Sequence, residues 1–201
     1  LRSHDDGDRC PLDPLDKVAR FVLGFGGRFT VRKGGFKTTG DAHRQRLLGS
    51  RRLEIPAQGI DVRFAEDDSP EALEKLIDGK TRAVFLESIG NPAGNVADIE
   101  AIATMAHSHD LPVIVDATVS TPYLTKSLKW GADIVIHSMT KYIGGHGNSL
   151  GGVIVDGGSF DWRADPERFP AFGAPDPRGR SYLDKDPAAP LAARVYDLAL
   201  F

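Results

Sequence analysis

The fold of this chain is decided by Pro112-Val-Ile-Val-Asp116 and Asp133-Ile-Val-Ile-His-Ser-Met-Thr-Lys141-Tyr-Ile-Gly-Gly-His-Gly147. Each stretch begins as a continuous apolar run and ends in polar residues, which is typical of strands buried on both faces of a parallel sheet. Helical patterns alternate with such runs along the chain. We therefore predict an α/β fold, a mostly parallel sheet with helices on both faces and right-handed crossovers.

The other elements are predicted from apolar periodicity and capping residues. Further strands are expected at Ile60–Phe64, Arg82–Glu87 and Gly151–Asp156. Helices are expected from Pro70 through Asp78 with Ser69 as N-cap, after Asp98 with Ile99, Ile102, Ala103 and Ala106 on one face, and at Leu191–Phe201.

Composition excludes several classes of protein. The chain has 201 residues, of which 41% are hydrophobic, enough for a sizeable core. Its net charge of -3 predicts neither nucleic-acid nor membrane attraction, and no apolar run approaches the ~20 residues of a membrane helix. Cys10 is the only cysteine, so no intrachain disulfide is possible, and we expect a cytoplasmic protein.

Residues 1–52 are rich in charge and glycine and carry one short apolar run, Phe21–Phe25. This composition predicts a flexible leader. Gly24–Phe29 has the glycines of a phosphate loop, but without a clear strand before it or helix after it a plain turn is favoured. The first residue, Leu1, is not a methionine, which suggests a processed chain or a fragment.

Polar side chains end four of the predicted strands: Glu87, Asp116, Ser138 and Asp156. Ligands of open α/β sheets bind beyond these carboxyl ends. Asp116 follows buried residues, and a carboxylate there needs a partner. A protonated pyridine nitrogen would serve, and a capping aspartate on a turn is the alternative interpretation.

Lys141 follows the next strand end, where a lysine can hold a carbonyl cofactor as a Schiff base. The alternative is a solvated surface lysine. The hydroxyls of Ser138 and Thr140 can bind a phosphate or serve as ordinary turn residues. His146, in the glycine-rich loop that follows, can titrate near neutrality or be simply solvated.

The histidines do not predict a metal site. His107 and His109 are two residues apart on a helix end and do not share a face. His137 and His146 have no cysteine or carboxylate partner at metal-ligand spacing.

Taken together, Glu87–Pro92, Val115–Tyr123 and Gly131–Gly147 resemble the Cys/Met-metabolism family of pyridoxal-phosphate (PLP) enzymes. Within that family the chain is most similar to the O-acetylhomoserine sulfhydrylases, and the segments that carry this similarity are Glu87–Asn95, Gly151–Trp162, Arg168–Phe172 and Pro175–Pro177. The resemblance covers about residues 53–177. It implies part of the large domain of a fold-type I transferase at 53–177, flanked by an unmatched segment at 1–52 and an atypical tail at 178–201.

The resemblance also implies a role for each matching residue. Lys141 would be the Schiff-base lysine and the catalytic base, and Asp116 would pair with the pyridine nitrogen. The other implied cofactor ligands are Ser138 and Thr140 at the phosphate, Asn91 near the phenolic oxygen, and Thr118 near the ring. Ala117 departs from the family's usual asparagine between the aspartate and the threonine.

The activity implied by the resemblance is PLP-dependent γ-replacement, in which O-acetylhomoserine and sulfide or a thiol give homocysteine and acetate. Cystathionine γ-synthase and γ-lyase of the same family are alternatives. The resemblance further implies a homo-oligomer, a tetramer in full-length relatives. Nucleic-acid and membrane partners are not expected.

Parts of the family pattern are missing. Residues 1–50 lack the recognisable Ser-Gly phosphate loop and ring-stacking tyrosine, and no C-terminal domain with a substrate-binding arginine follows the tail. These departures lead us to expect a fragment. An inactive truncated protein, or an interaction partner of a full-length relative, is therefore a further alternative.

Overall fold

A computed structural model describes residues 19–23 and 60–200. The strands are β1 (Ala19–Leu23), β2 (Ile60–Phe64), β3 (Thr81–Glu87), β4 (Val113–Asp116), β5 (Ile134–Ser138) and β6 (Gly152–Asp156). The helices are α1 (Pro70–Glu74), α2 (Ile99–Ser108), α3 (Thr121–Leu124), α4 (Pro170–Gly173), α5 (Tyr182–Lys185) and α6 (Pro190–Leu200). A 3-10 helix spans Ser127–Trp130, and a single π-helical turn spans Met139–Ile143.

The six strands form one sheet in the order β2-β1-β3-β4-β5-β6. All neighbouring pairs are parallel except β5 and β6, which are antiparallel. The predicted mostly parallel sheet is confirmed. Because β3, β4 and β5 run in the same direction, their carboxyl ends meet at one edge, where Glu87 is in register with Asp116 and Asp116 with Ile136.

Successive residues of the central strands point to opposite faces of the sheet, and both faces are covered. Val113 and Val115 pack on one face in a cluster with the buried side of α2. Ile114 and Ile134 pack on the other face against an aromatic cluster, whose members are Trp162, Phe169 and Phe172 with partly buried Phe160. The predicted helical stripe, Ile99, Ile102, Ala103 and Ala106, is buried as expected.

Both predicted N-caps are confirmed. The Ser69 hydroxyl accepts a hydrogen bond from the Ala72 amide at 3.2 Å, and Asp98 accepts one from the Ala101 amide at 3.1 Å. Helix α1 is nevertheless shorter than predicted, because it ends at Glu74 rather than at Asp78. Its last turn tightens into three-residue hydrogen bonds, and the Asp78 amide then donates to the Thr81 hydroxyl at 2.9 Å, which directs the chain into β3.

The predicted flexible leader is wrong for Ala19–Leu23, which form β1 between β2 and β3. The rest of 1–52, with Cys10 and the possible phosphate loop at Gly24–Phe29, lies outside the described residues. The predicted C-terminal helix is confirmed as α6. Within 19–23 and 60–200, no helix has the length and apolar character needed to cross a membrane.

Candidate active site

Asp116 ends β4 at the carboxyl edge of the sheet and is half-buried. Its Oδ1 accepts a hydrogen bond from the Thr118 amide at 2.9 Å, so the carboxylate closes a tight turn on its own backbone. The alternative interpretation of Asp116 as a capping residue on a turn therefore holds for its Oδ1 atom. Oδ2 has no hydrogen-bond or ion-pair partner in the described part of the chain, so the carboxylate can still receive a cation.

Thr118 joins the ends of the two central strands. Its amide donates to Asp116, and its Oγ1 accepts from the Ser138 amide at 2.8 Å. Ser138 is the last residue of β5. The turn after β4 is thereby fixed to the point at which the chain enters the Lys141 segment.

Lys141 lies within the π-helical turn that directly follows β5. The Gly144 amide donates to the Met139 carbonyl at 2.8 Å, and the Gly145 amide donates to the Lys141 carbonyl at 2.8 Å. A Cβ at position 144 would meet the Met139 carbonyl oxygen at 2.7 Å, so this turn requires glycine there. The Lys141 side chain is exposed, and its Nζ forms no hydrogen bond or ion pair with any described residue.

Thr140 ties the same turn to the beginning of β6. Its Oγ1 accepts from the Gly151 amide at 3.0 Å, while its own amide donates to the Gly151 carbonyl at 3.4 Å. Ser138, two residues before Thr140, has a half-buried side chain. Both hydroxyls therefore lie on the short segment that leads from β5 to Lys141. The Thr140 hydroxyl donates to the Gly151 carbonyl at 3.4 Å, whereas the Ser138 hydroxyl has no hydrogen-bond partner among the described residues.

Asn91 lies on the loop that follows β3. It is exposed, and its amide donates to the Glu87 carboxylate at 3.0 Å. The Asn91–Pro92 peptide bond is cis. A bridge between Ile89 and Val96 closes the base of the loop, which leaves Asn91 at the same sheet edge as Asp116.

Three buried polar side chains lie beneath this edge, and the sequence did not predict their contacts there. The hydroxyls of Ser88 and Ser120 are 2.9 Å apart, and His137 Nδ1 lies 3.0 Å from the Ala117 carbonyl oxygen. All three side chains are buried. The only available signal was their position at or just beyond strand ends, which does not distinguish them from ordinary turn residues.

No described part of the chain gathers three or more His, Cys, Asp or Glu side chains in a possible metal site. His107 contacts Asp133 and His109 contacts Glu74, each through Nε2, at 2.8 and 2.9 Å. Asp156, at the end of β6, accepts from the Gly158 and Ala192 amides and so serves the chain beyond the strand.

Known proteins are similar to this chain over much of its length. The family model for "Cys/Met metabolism PLP-dependent enzyme" matches residues 50–182. Homocysteine/cysteine synthase of Saccharomyces cerevisiae is 53% identical over 118 residues, which are 58% of this chain and 27% of the relative. O-acetyl-L-homoserine sulfhydrylase of Leptospira meyeri is 46% identical over 123 residues, 61% of this chain and 27% of the relative.

A solved structure shares the fold. It is assigned as an O-acetylhomoserine (thiol)-lyase of Campylobacter jejuni, and it contains N'-pyridoxyl-lysine-5'-monophosphate. It is 29% identical, with a TM-score of 0.62, and the match covers 81% of this chain and 37% of that one. The chain thus spans about a quarter of the length of the two curated relatives.

Proposed function

Because this chain belongs to the Cys/Met-metabolism family of PLP-dependent enzymes, we propose that it carries the cofactor site of a γ-replacement enzyme. The proposed reaction converts O-acetylhomoserine and sulfide, or a thiol, into homocysteine and acetate. One observation carries the proposal: Asp116 and the Ser138–Lys141 segment follow adjacent parallel strands and are joined through Thr118. The names of the similar sulfhydrylases support the choice of substrates.

The residues at this edge fit PLP. The half-buried Asp116 carboxylate has no cation beside it in the described structure, and a protonated pyridine nitrogen would supply one. The exposed Lys141 amine is accessible to an aldehyde. We assign Ser138 and Thr140 to the phosphate, Asn91 to the region of the phenolic oxygen, and Thr118 to the ring.

In the proposed reaction the cofactor supplies the electron sink for proton loss from the substrate. Asp116 would pair with the ring nitrogen through its carboxylate and so favour the protonated ring. Lys141 would remove one proton from the substrate Cα and one from Cβ, which allows acetate to leave from Cγ, and would return both protons after the replacement, as a positioned general base and acid. Loss of acetate from Cγ and addition of sulfide at the same carbon complete the replacement.

The remaining features of the proposal concern the whole protein. We propose residues 53–177 as the PLP-binding domain, with 1–52 and 178–201 flanking it, and a homo-oligomeric, cytoplasmic enzyme. Exposed Tyr142 and Leu150, at 67% and 92%, lie in the Lys141 segment and suit contact with another subunit. The single cysteine suits a reducing compartment.

A non-catalytic role is the second candidate. Every residue from Lys141 to Leu150 is exposed, so the described residues do not shield the lysine from water. Active sites of this kind depend on exclusion of water from the reacting groups. A chain that keeps the cofactor residues but acts as an interaction partner of a longer relative would show this exposure. Cystathionine synthesis or γ-elimination would be the related enzymatic alternatives.

Cofactor uptake tests the proposal. PLP is added to the purified chain, the visible absorption of lysine-bound cofactor is recorded, and borohydride then fixes the cofactor for peptide mapping. We expect the label on Lys141, its loss in Lys141→Ala, and full labelling in Lys129→Ala, which removes an exposed lysine of the 3-10 helix. Labelling of Lys141→Ala equal to the parent would refute the site.

Turnover assays separate the enzymatic and non-catalytic candidates. Homocysteine formation from O-acetylhomoserine and sulfide supports the proposed reaction. Replacement with cysteine alone, or γ-elimination, supports the related activities. PLP labelling without any turnover supports the non-catalytic candidate.

A further inference from the structure

Two loops carry residues of the proposed site, and a buried serine pair connects them. The loop Ser88–Ala97 follows β3 and carries Asn91, whereas the turn Ala117–Ser120 follows β4 and carries Thr118. The Ser88 and Ser120 hydroxyl oxygens are 2.9 Å apart, and their residues are 2% and 0% exposed. This contact is therefore made entirely in the interior.

Each hydroxyl between Ser88 and the Ala117 carbonyl can donate one hydrogen bond and accept another without conflict. Ser88 can donate to Ser120, and Ser120 can donate to the Ala117 carbonyl oxygen, 3.4 Å away. That carbonyl also accepts from the Thr121 amide at 2.8 Å and faces His137 Nδ1 at 3.0 Å. The Ser120 hydroxyl thus links the Asn91 loop to the residue directly after Asp116.

Ser88 is held from its backbone as well. Its amide donates to the Asp116 carbonyl at 2.9 Å, and its carbonyl accepts from the Ala97 amide at 3.2 Å, which closes the loop. Ser88 is therefore already fixed beside β4, and its hydroxyl is aimed at the β4 turn. Removing either hydroxyl leaves the other buried without this partner, which costs more than an exposed hydrogen bond.

We propose that Ser120 is a positioning residue of the cofactor site, whose hydroxyl holds the Asn91 loop in register with the Asp116–Thr118 turn. The inference rests on the proposed function of these loops in PLP binding. Asn91 and Asp116 would contact opposite parts of one rigid ring, so a small shift between the loops weakens both contacts together. The effect on PLP affinity should therefore exceed any effect on the sheet.

The test is a double-mutant cycle with Ser120→Ala, Ser88→Ala and the double variant. The matched control is Ser127→Ala, because Ser127 is also 2% exposed but its hydroxyl has no hydrogen-bond partner in the described structure. PLP affinity is measured by titration of the visible band, and its pH dependence is recorded. We expect each single variant to bind PLP about fivefold more weakly, the double variant to bind no more weakly than the singles, and Ser127→Ala to match the parent.

A shifted pH dependence of the band in Ser120→Ala, with an unchanged one in Ser127→Ala, further supports positioning, since a purely structural loss would not move it. Parental affinity in both Ser120→Ala and Ser88→Ala overturns the proposal, as does a fully additive double variant. Ser88→Ala removes the same contact from the other loop, so the test stands where one variant fails to fold.

A readout without cofactor separates this proposal from the proposed function. If the parent chain takes up no PLP, the proposed function fails, and hydrogen exchange at the Ala97 and Thr121 amides decides the connection between the loops. Faster exchange at both amides in Ser120→Ala than in Ser127→Ala supports it. Equal rates in these two variants overturn it.

Discussion

Asp133 connects three parts of the chain through one buried side chain. It is 2% exposed, and its Oδ2 accepts from the Val113 amide and faces His107 Nε2, each at 2.8 Å. Its Oδ1 accepts from the Ser159 hydroxyl at 2.9 Å. The beginning of β4, the end of α2 and the segment after β6 are thereby joined, and this buried carboxylate has its hydrogen-bonding capacity met.

Replacing Asp133 should therefore lower the free energy of unfolding by an amount that depends on the residue introduced. Asp133→Ala removes the acceptor of all three contacts, and we expect a loss of about 3 kcal/mol in the free energy of unfolding. Asp133→Asn keeps one oxygen for Val113 and His107, and its amide can donate to the Ser159 hydroxyl, so we expect a smaller loss. Urea unfolding measures both variants, and equal losses would contradict this account.

At the scale of elements, the sequence predicts those helices and strands correctly that depend on contacts between residues close together in the chain. The N-caps Ser69 and Asp98 and the apolar runs of β4 and β5 act within a few residues, and each was predicted correctly. β1 was missed because its five residues sit among glycines and charges, and its stability comes from pairing with β2 and β3 far along the chain.

The same distinction applies to the candidate site. Asp116 and Ser138 could be placed at neighbouring strand ends because parallel strands end at one edge. The contact between Ser88 and Ser120 could not be predicted, because it joins residues that are 32 positions apart and depends on the conformation of two loops. The hydrogen bonds from Thr118 to both strand ends likewise depend on the conformation of the turn after β4 and could not be predicted.

Close packing between the 3-10 helix and α2 gives a prediction at this scale. Gly131 has a φ of +93°, and a Cβ there would meet the Ala103 Cβ at 2.7 Å. Gly179 has a similar φ of +78° but no atom within 4 Å of such a Cβ. We expect Gly179→Ala to lose about 1 kcal/mol from backbone strain alone and Gly131→Ala about 3 kcal/mol.

Thermal unfolding of the two alanine variants tests this difference. The reference is Gly131→Ala combined with Ala103→Gly, which removes the clashing methyl group and should recover part of the loss. Equal destabilisation by Gly131→Ala and Gly179→Ala would show that the helix contact does not matter.

For the whole molecule, the segment after residue 177 is part of the packed structure. Partly buried Tyr182, Leu183 and Leu191 cover the aromatic cluster on one face of the sheet. Lys185 Nζ lies 3.2 Å from Asp176 and 3.0 Å from Asp197, which ties α5 both to the preceding loop and to α6. Residues 178–200 therefore contribute to the fold of the described chain.

The charge of Asp176 makes this attachment pH-dependent. The Arg180 amide, followed by Lys185 and the Arg178 amide, lowers the pKa of Asp176 from 3.8 to about 2. A lowered pKa contributes stability that is present above the ordinary value of 3.8 and is lost as the pH falls towards 2. Hydrogen bonds with Asp197 and then Asp176 raise the pKa of Lys185 above its ordinary value of 10.5. Its contribution to stability is therefore fully present below 10.5 and is lost as the pH rises through the raised pKa.

Carboxyl carbon shifts of Asp176, followed by NMR against pH, provide the measurement. We expect a midpoint of about 2 in the parent. In Lys185→Met the midpoint should rise but stay below 3.8, because the largest cause, the Arg180 amide, remains. A parent midpoint at 3.8 would contradict the role of these contacts.

The place of β1 between β2 and β3 also governs how the sheet can assemble. In the described sheet β2 pairs with β1 and with no other strand, so it joins the other strands only through the pairing of β1 with β3, which are far apart in sequence. Such non-local closure is slow. Until β1 has paired with β3, the edge of β3 remains unpaired, and a strand of a second unfolded chain can pair with it. Refolding yield should therefore fall with protein concentration, even though the finished sheet buries that edge.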